Sequence, residues 1–123
     1  MIDFTNAKYL KLRPVDDKEN SIYRELLVEG EVVLQAFKTM RDLLVFTSKR
    51  IIAINVQGVT GKKKDFTSLP YSKIQSFSVE TAGTFDLDAE LELWFSGLGK
   101  VKFEFKGSYD IKLIQKFIAE RVL

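Results

Sequence analysis

The chain has 123 residues, the size of one domain with its own hydrophobic core, and a formal net charge of +2. It contains no cysteine and no histidine, which excludes disulfides, thiolate nucleophiles, zinc–thiolate sites and iron–sulfur clusters and removes the commonest general base of enzymes. The N-terminus lacks the basic and apolar regions of a signal peptide, and no run of about 18 apolar residues occurs. We therefore expect a cytoplasmic, non-enzymatic domain with no catalytic residues, metal or cofactor.

Charge is distributed unevenly along the chain. Residues 31–73 carry eight basic and three acidic side chains, whereas residues 74–123 carry six basic and eight acidic ones. This asymmetry is much weaker than that of nucleic-acid-binding domains, and no zinc-finger or ribonucleoprotein motif accompanies it. Nucleic acid is therefore not expected as a partner.

The first thirty residues are predicted to be partly helical. A short helical stripe before Pro14 is formed by Ile2, Phe4, Ala7 and Leu10 or Lys11. A stronger amphipathic pattern at 17–29 begins after Asp16 or Asp17, either of which can act as the N-cap, and Gly30 stands at its C-terminal end. The apolar face of this second segment consists of Ile22, Tyr23, Leu26 and Leu27.

The middle of the chain is predicted to form a β-sheet. Short β-branched or aromatic runs bounded by turn residues indicate strands at 32–37, 43–47, 50–56, 66–69 and 74–81. The first three are joined by connections short enough for hairpins, so they should lie side by side. The segment QGVTGKKKD, with two glycines and three lysines, is predicted to be a loop.

Two further strands, at 86–93 and 100–106, alternate charged and apolar residues with a period of two. They are predicted to form a hairpin, and a shift of two residues is the alternative to the favoured register. In that register the charged pairs are Glu92 with Lys102, Asp88 with Lys106 and Glu90 with Glu104. The acidic side chains stand in a line along one strand and do not wrap an ion, so they are interpreted as a solvated face rather than a metal site.

The chain is predicted to end in an amphipathic helix at 109–122 with Ser108 as its N-cap. Its apolar stripe is formed by Ile111, Ile114, Phe117, Ile118 and Val122. Seven strands can bury their apolar faces by curling into an open barrel or orthogonal sandwich, one end of which this helix plugs.

Four motifs occur in order along the chain: RDLLVFTSKR, QGVTGKKK, LPYSKI and VETAGTFDLDAEL. Together they resemble the signature block of the bacterial pleckstrin-homology (PH) family, over about residues 31–106. The resemblance implies a PH-like, seven-stranded antiparallel barrel with a C-terminal helix, in agreement with the strands predicted from the residues. We therefore predict a PH-like domain at 31–123 preceded by an N-terminal helical extension at 1–30, the two forming one structural unit. The fold does not fix the ligand, because this architecture binds lipids, peptides and proteins alike.

Five basic residues are candidates for binding an anion or a lipid headgroup. In eukaryotic PH domains, basic residues in the loop between the first two strands bind phosphoinositides, and in this chain that loop offers Lys38 and Arg41. Lys62, Lys63 and Lys64 lie in a different loop, and the alternative interpretation of this run is a solvated turn. A few lysines contribute about 1 kcal/mol each at an anionic surface, so such binding is expected to be weak and salt-sensitive.

Apolar side chains are continuous at 43–46 and 51–54, so both faces of these two strands are apolar. One face must be core, and we expect the other to be covered partly by the N-terminal helix and partly by a second copy of the chain. The candidate interface residues are Leu43, Val45, Ile51 and Ala53. Members of the family that the chain resembles form symmetric rings, so the resemblance also implies a homo-oligomer.

The sequence therefore favours a non-enzymatic interaction or self-assembly module whose partner is another protein or a second copy of the chain. The alternative is weak peripheral binding to anionic lipid headgroups of a membrane.

Overall fold

The computed structural model describes residues 1–6, 8–16, 22–83, 88–106 and 109–123. This part of the chain contains eight strands and one α-helix. The strands are β1 Tyr9–Val15, β2 Val33–Lys38, β3 Leu43–Thr47, β4 Arg50–Gln57, β5 Lys63–Pro70, β6 Ile74–Glu80, β7 Ala89–Phe95 and β8 Gly99–Phe105. The helix is α1 Ile111–Val122, and single 3₁₀ turns lie at Arg24–Leu26 and Tyr71–Lys73. The prediction of a mainly β fold with a C-terminal helix is confirmed.

The eight strands form one sheet in the order β5-β4-β3-β2-β1-β8-β7-β6. Neighbouring strands are antiparallel except β1 and β8, which are parallel. β5 and β6 lie at the two ends of this order although the Tyr71–Lys73 turn joins them directly. α1 packs against that turn, β6 and β7, and it buries Ile111, Ile114 and Ile118. The helix thus closes the main core, as predicted.

β1 is an additional strand, so the prediction of seven strands is wrong. Leu10 and Lys11, assigned to the helical stripe, lie in β1 and are both exposed. The pairing of β1 with β8 shifts register between Tyr9 and Leu12, and this bulge leaves the two residues between them on the exposed side. Ile2 and Phe4 precede the strand and are not helical. Pro14 is tolerated because β1 pairs only with β2 there, its ladder with β8 having ended at Leu12. Ala7, also assigned to the stripe, lies outside the described residues.

The predicted N-terminal helix at 17–29 is wrong for the residues that can be compared. Residues 17–21 lie outside the described part, and residues 22–29 contain only the single turn Arg24–Leu26. Tyr23 and Leu27 nevertheless face the sheet, where Tyr23 is fully buried. They cover an outer cluster on the face of the sheet opposite the main core, formed by Tyr23, Ala36, Leu43, Val45, Ile52 and Ile54.

The four residues predicted as an oligomer interface do not share a face. Leu43 and Val45 belong to the outer cluster, whereas Ile51 and Ala53 belong to the main core. All four are at most 3% exposed. The outer apolar face of β3 and β4 is therefore not exposed, because the segment containing Tyr23 covers it within one chain. Self-association itself stays a prediction.

The hairpin of β7 and β8 has the favoured register. Glu92 lies opposite Lys102 and Glu90 opposite Glu104, as predicted. The ion pairs run diagonally, from Lys102 to Glu90 at 3.1 Å and from Lys100 to Glu92 at 3.9 Å. Asp86, predicted to begin this strand, lies outside the described residues.

Two element boundaries differ from the prediction. β5 begins at Lys63, three residues before the predicted strand, because its ladder with β4 continues through Val56 with Lys64 and Gln57 with Lys63. The N-cap of α1 is Asp110, whose carboxylate accepts a hydrogen bond from the Lys112 amide at 3.1 Å. Ser108, predicted as the N-cap, lies outside the described residues. Within the described ranges, no helix has both the length and the apolar content needed to cross a bilayer.

A buried carboxylate fastens the N-terminal segment to the sheet. Glu31 is 7% exposed and accepts hydrogen bonds from Arg50 Nε at 2.9 Å, Arg50 Nη2 at 3.0 Å, Thr47 Oγ1 at 2.6 Å and the Val28 amide at 3.0 Å. Arg50 also donates to the Leu26 carbonyl at 2.6 Å. Burial acts to raise the pKa of Glu31, but the hydrogen bonds from Arg50 and Thr47 outweigh it and hold the pKa below its ordinary value. Glu31 and Arg50 therefore join the turn that follows Tyr23 to β3 and β4.

Candidate anion-binding site

The structure separates the five predicted cations into two groups with different surroundings. The Arg41 guanidinium donates to the Gly58 carbonyl, and Lys64 Nζ donates to the Gly61 carbonyl at 2.9 Å. These two cations therefore hold the β4–β5 turn, in which both glycines have positive φ angles. Lys62 and Lys63 are exposed beside this turn.

Lys38, the remaining predicted cation, stands beside a cleft that the sequence did not reveal. The cleft lies between β1, the β2–β3 turn and the C-terminal end of β8, and its volume is about 340 Å³. Its lining residues are Leu10, Lys11, Arg13, Thr39, Met40 and Lys106. Three of the six are cations and none is acidic, so we name this feature the cationic cleft.

The bulge in β1 is the reason that this cleft has both a cation and an apolar side chain on one rim. Tyr9 and Leu12 point into the core, and the two residues between them, Leu10 and Lys11, are both exposed. Lys11 has φ 55°, the left-handed region that a residue with a side chain seldom occupies. The extra residue of a bulge redirects neighbouring side chains in this way.

Like charges are held directly opposite one another at the cleft. Arg13 of β1 pairs with Lys38 of β2, and the parallel pairing of Leu12 with Phe105 brings Lys106 alongside. Among the described residues, Arg13, Lys38 and Lys106 have no ion pair and no side-chain hydrogen bond. Opposed like charges on neighbouring strands are destabilising, and a bound anion would remove that repulsion.

Two carboxylates adjoin the cleft without lining it. Lys11 Nζ lies 3.6 Å from Asp88 Oδ2. Burial raises the pKa of Glu104, and its hydrogen bond to Asp88 and the negative charges of Asp88 and Glu90 raise it further. As the pH falls, this neighbourhood therefore loses negative charge earlier than ordinary carboxylates would. No group of three metal-ligating side chains is found within the described ranges.

A second surface lies at the free edge of the sheet. The outer side of β6 and β7 has a shallow groove of about 220 Å³, lined in part by Ser76, Ser78 and Trp94. Trp94, the single tryptophan of the chain, is 46% exposed and pairs with Ser76. Trp94 therefore lies near the C-terminal end of β7 with its side chain about half accessible.

The cleft was missed because its residues are distant in sequence. One local signal was available: Leu10, Lys11, Leu12 and Arg13 alternate apolar and basic residues, which is typical of a strand with one charged face. Lys106 and Met40 give no comparable signal, because only the parallel pairing of β1 with β8 brings Lys106 to Arg13.

Comparison with known proteins decides the family. The bacterial PH domain model matches residues 3–122, nearly the whole chain. The chain belongs to the bacterial PH domain family. The match includes β1 and the segment that covers the outer cluster, as well as the region whose motifs carry the resemblance.

This bacterial PH domain is similar to several proteins. It is 55% identical over 96 residues to the uncharacterized protein YjqA of Bacillus subtilis (strain 168), covering 76% of this chain and 77% of YjqA. It is 43% identical to a DUF1696 family protein with a pleckstrin-homology domain from Shewanella loihica, with a TM-score of 0.80 and coverage of 93% of this chain and 99% of that one. A pleckstrin homology domain from Shewanella amazonensis is 47% identical, with a TM-score of 0.65 and coverage of 96% and 93%.

Proposed function

We propose that this bacterial PH domain is a non-enzymatic binding domain that holds a phosphate-bearing anion in the cationic cleft. The observation that carries the proposal is Arg13, which has no ion-pair partner in the described part of the chain and lies directly opposite Lys38 and beside Lys106. An arginine can donate two parallel hydrogen bonds to a phosphate, and lysines add point charges around it. The predicted cytoplasmic location and the identity of the ligand stay predictions.

The β2–β3 turn adds a polar group to the same cleft. Thr39 Oγ1 accepts a hydrogen bond from the Asp42 amide at 3.1 Å, which leaves its hydroxyl proton available to an anion. The Asp42 carboxylate lies outside the lining, where it accepts a hydrogen bond from the Val56 amide at 2.9 Å. Each cation near an anionic surface contributes about 1 kcal/mol, so we expect weak, salt-sensitive binding with a Kd on the order of 1 mM or somewhat lower.

A charge-matched pair of variants tests this proposal. Arg13→Gln with Lys38→Gln removes two cations at the cleft, and Lys62→Gln with Lys63→Gln removes two exposed cations at the β4–β5 turn. We expect amide chemical shifts at the cleft to respond to a soluble inositol trisphosphate at low salt in the wild type and in the second variant, but not in the first. If both variants lose the chemical-shift response equally, the response depends only on net charge. If only the Lys62 and Lys63 variant loses it, the anion binds at the β4–β5 turn. Either result overturns the proposal.

A second candidate function, pairing with a strand of another protein or of a second copy, is favoured by the unequal protection of the two sheet edges. Edge strands are normally guarded by charged residues, prolines or covering segments. β5 has Lys63, Lys64 and Pro70, and the Ile2 amide donates to its Thr67 at 3.0 Å. β6 has the sequence IQSFSVE, with one charge at its end.

Light scattering after size exclusion tests this pairing. If β6 binds β6 of a second copy, the mass at about 100 μM should exceed the 14.1 kDa of one chain. Ser78→Lys should restore the monomer by guarding the edge, whereas Ser96→Lys in the β7–β8 turn should not. If the wild type is a monomer, self-association is refuted. If Ser78→Lys leaves the oligomer unchanged, the copies do not associate through β6.

A further inference from the structure

The edge strand β6 has small side chains on its outer side. Ser76 and Ser78 are both exposed, and they separate the free edge of β6 from Trp94 on β7. A groove of about 220 Å³ lies over these serines and beside the indole ring. Neighbouring strands are only about 4.8 Å apart. A long side chain from a strand added to this edge can therefore cross Ser76 and contact Trp94.

Negative charge predominates on the outer side of β6, β7 and β8. Among the described residues, the charged side chains there are Glu80, Glu90, Glu92, Lys100, Lys102 and Glu104. Glu80 lies directly opposite Glu90, which in turn lies opposite Glu104. Like charges opposed on neighbouring strands are destabilising. A cation beside Glu80 would relieve this repulsion.

Glu80 is the carboxylate of this row that a partner can still neutralise. Lys102 lies 3.1 Å from Glu90, but Glu80 is exposed and has no ion pair within the described ranges. The hydrogen bond from Lys102 to Glu90 and the charge of that carboxylate raise the pKa of Lys102, and the neighbouring carboxylates raise it further. This side of the sheet thus stabilises one positive charge already, and the free edge beside Glu80 can take another.

The inner side of β6 is apolar. Phe77 and Val79 are partly buried and pack against the main core. A strand that pairs with an edge is selected by its alternate side chains, because these lie on the two faces of the extended sheet. The complement of β6 therefore alternates basic residues on the outer side with apolar residues on the inner side.

Charge also distinguishes the two strands that β6 could bind. A second copy paired through β6 would add its own Glu80 and Glu90 to a side of the sheet that is already negative. A basic strand of another protein would neutralise Glu80, and an arginine or lysine of that strand would be attracted to the face of the Trp94 ring.

We infer that the partner of β6 is a strand of another protein in which basic side chains alternate with apolar ones. One basic side chain lies over Ser76 against Trp94, and another lies beside Glu80. This inference rests on the second candidate function, the pairing of β6 with another strand, and adds the chemistry of the partner.

Fluorescence of Trp94 tests the inference, because Trp94 is the single tryptophan of the chain and lines the groove. The probe is a peptide with blocked ends in which arginine alternates with valine over seven residues, the length of β6. We expect it to change the emission of Trp94 along a saturable titration curve. A peptide with glutamate in place of arginine should leave the emission unchanged.

Methylated peptides separate strand pairing from simple attraction of charge. Alternate residues of a strand direct their amide N–H groups to the same neighbour. One arginine–valine peptide is methylated on the amide nitrogens of its arginines, and another on those of its valines. Only one of the two should lose binding.

Two variants, each with a matched control, locate the contact. Ser78→Lys places a cation in the groove and should weaken binding of the arginine–valine peptide by about tenfold or more, whereas Ser96→Lys in the β7–β8 turn should not. Glu80→Gln should weaken it by about two- to fivefold, the factor that one exposed ion pair contributes. Glu29→Gln, also exposed, should have no effect.

The possible failures are distinguishable. If the arginine and glutamate peptides bind equally well and methylation of one set of amides blocks both, the basic partner is refuted and strand pairing at β6 stands. If no peptide binds, or if methylation of either set leaves binding unchanged, both the inference and the pairing of β6 with another protein are refuted. Neither result affects anion binding in the cationic cleft, which is measured separately with inositol trisphosphate.

Discussion

The contact between Glu31 and Arg50 offers the sharpest test of how the N-terminal segment is held. Glu31→Gln preserves the shape of the side chain and removes its charge. The glutamine side chain has one acceptor oxygen, whereas the carboxylate has two. Its NH₂ group would face Arg50 and Thr47, which are themselves hydrogen-bond donors, so these contacts would be donor against donor. The Arg50 guanidinium then loses its counter-ion while remaining largely enclosed.

The size of the effect follows from burial. The Glu31 side chain is fully buried and that of Arg50 is 21% exposed. Breaking a buried ion pair by removing one partner costs about 3–5 kcal/mol. Arg50 retains its hydrogen bonds to Leu26 and Ser68 and some access to water, which favours the lower end of that range, about 3 kcal/mol. For a domain of this size the melting temperature should fall by about 12 °C.

Urea unfolding followed by far-ultraviolet circular dichroism measures the change directly. Glu29→Gln is the control, since Glu29 is exposed two residues earlier and undergoes the same chemical change. It should alter the free energy of unfolding by less than about 0.5 kcal/mol. A Glu31→Gln variant within about 1 kcal/mol of the wild type would refute the reasoning, because the contact would then carry no more than an exposed ion pair.

The pH dependence has a definite sign. The folded-state pKa of Glu31 lies below its ordinary value of 4.5. Its ionised form therefore stabilises the protein fully above that value, and the contribution is lost as the pH falls through the folded pKa. The difference in unfolding free energy between wild type and Glu31→Gln should accordingly shrink in acid below pH 4.5.

Two further predictions concern the outer cluster and the cleft. Tyr23→Ala should destabilise the protein by about 3–5 kcal/mol and increase the binding of an apolar dye, because it uncovers Val45 and Ile52; an unchanged melting temperature would contradict this packing. Glu104→Gln should strengthen binding of inositol trisphosphate near neutral pH and reduce the gain that the wild type shows as the pH is lowered, since it removes negative charge near Lys11; weaker binding in a titration of this variant would reject the electrostatic role.

Patterns that depend on neighbouring residues predicted the fold well. The alternation in β7 and β8 correctly placed their apolar side chains in the core, because a slip of one residue would bury charged side chains. The opposition of Glu92 and Lys102 favoured the observed register over a shift of two residues. The continuous apolar runs of β3 and β4 correctly indicated two buried faces. The N-terminal segment was predicted to cover part of the outer face, and Tyr23 does so, but from a segment with a single 3₁₀ turn instead of a helix. Its attachment through Glu31 and Arg50 could not be predicted, because these residues are 19 positions apart and meet only in the fold.

The candidate site was predicted only in part. Lys38 was named, but Arg13 and Lys106 become its neighbours through strand pairs that no local pattern records. The lysine run attracted attention by composition, although Lys63 and Lys64 continue β5 and Lys64 holds a turn. A run of like charges can be seen in the sequence, whereas a binding site depends on which strands pair in the fold.

The parallel contact between β1 and β8 also has a consequence for how the protein is made. Tyr9 is synthesised 94 residues before its partner Phe103. Until β8 leaves the ribosome, one side of β1 has no strand to pair with, and the ring contacts of Tyr9 and Phe4 with Phe103 cannot form. Contacts between such distant residues slow folding. We therefore expect a nascent chain that ends before β8 to remain open and prone to aggregation, and the core to close in one late step.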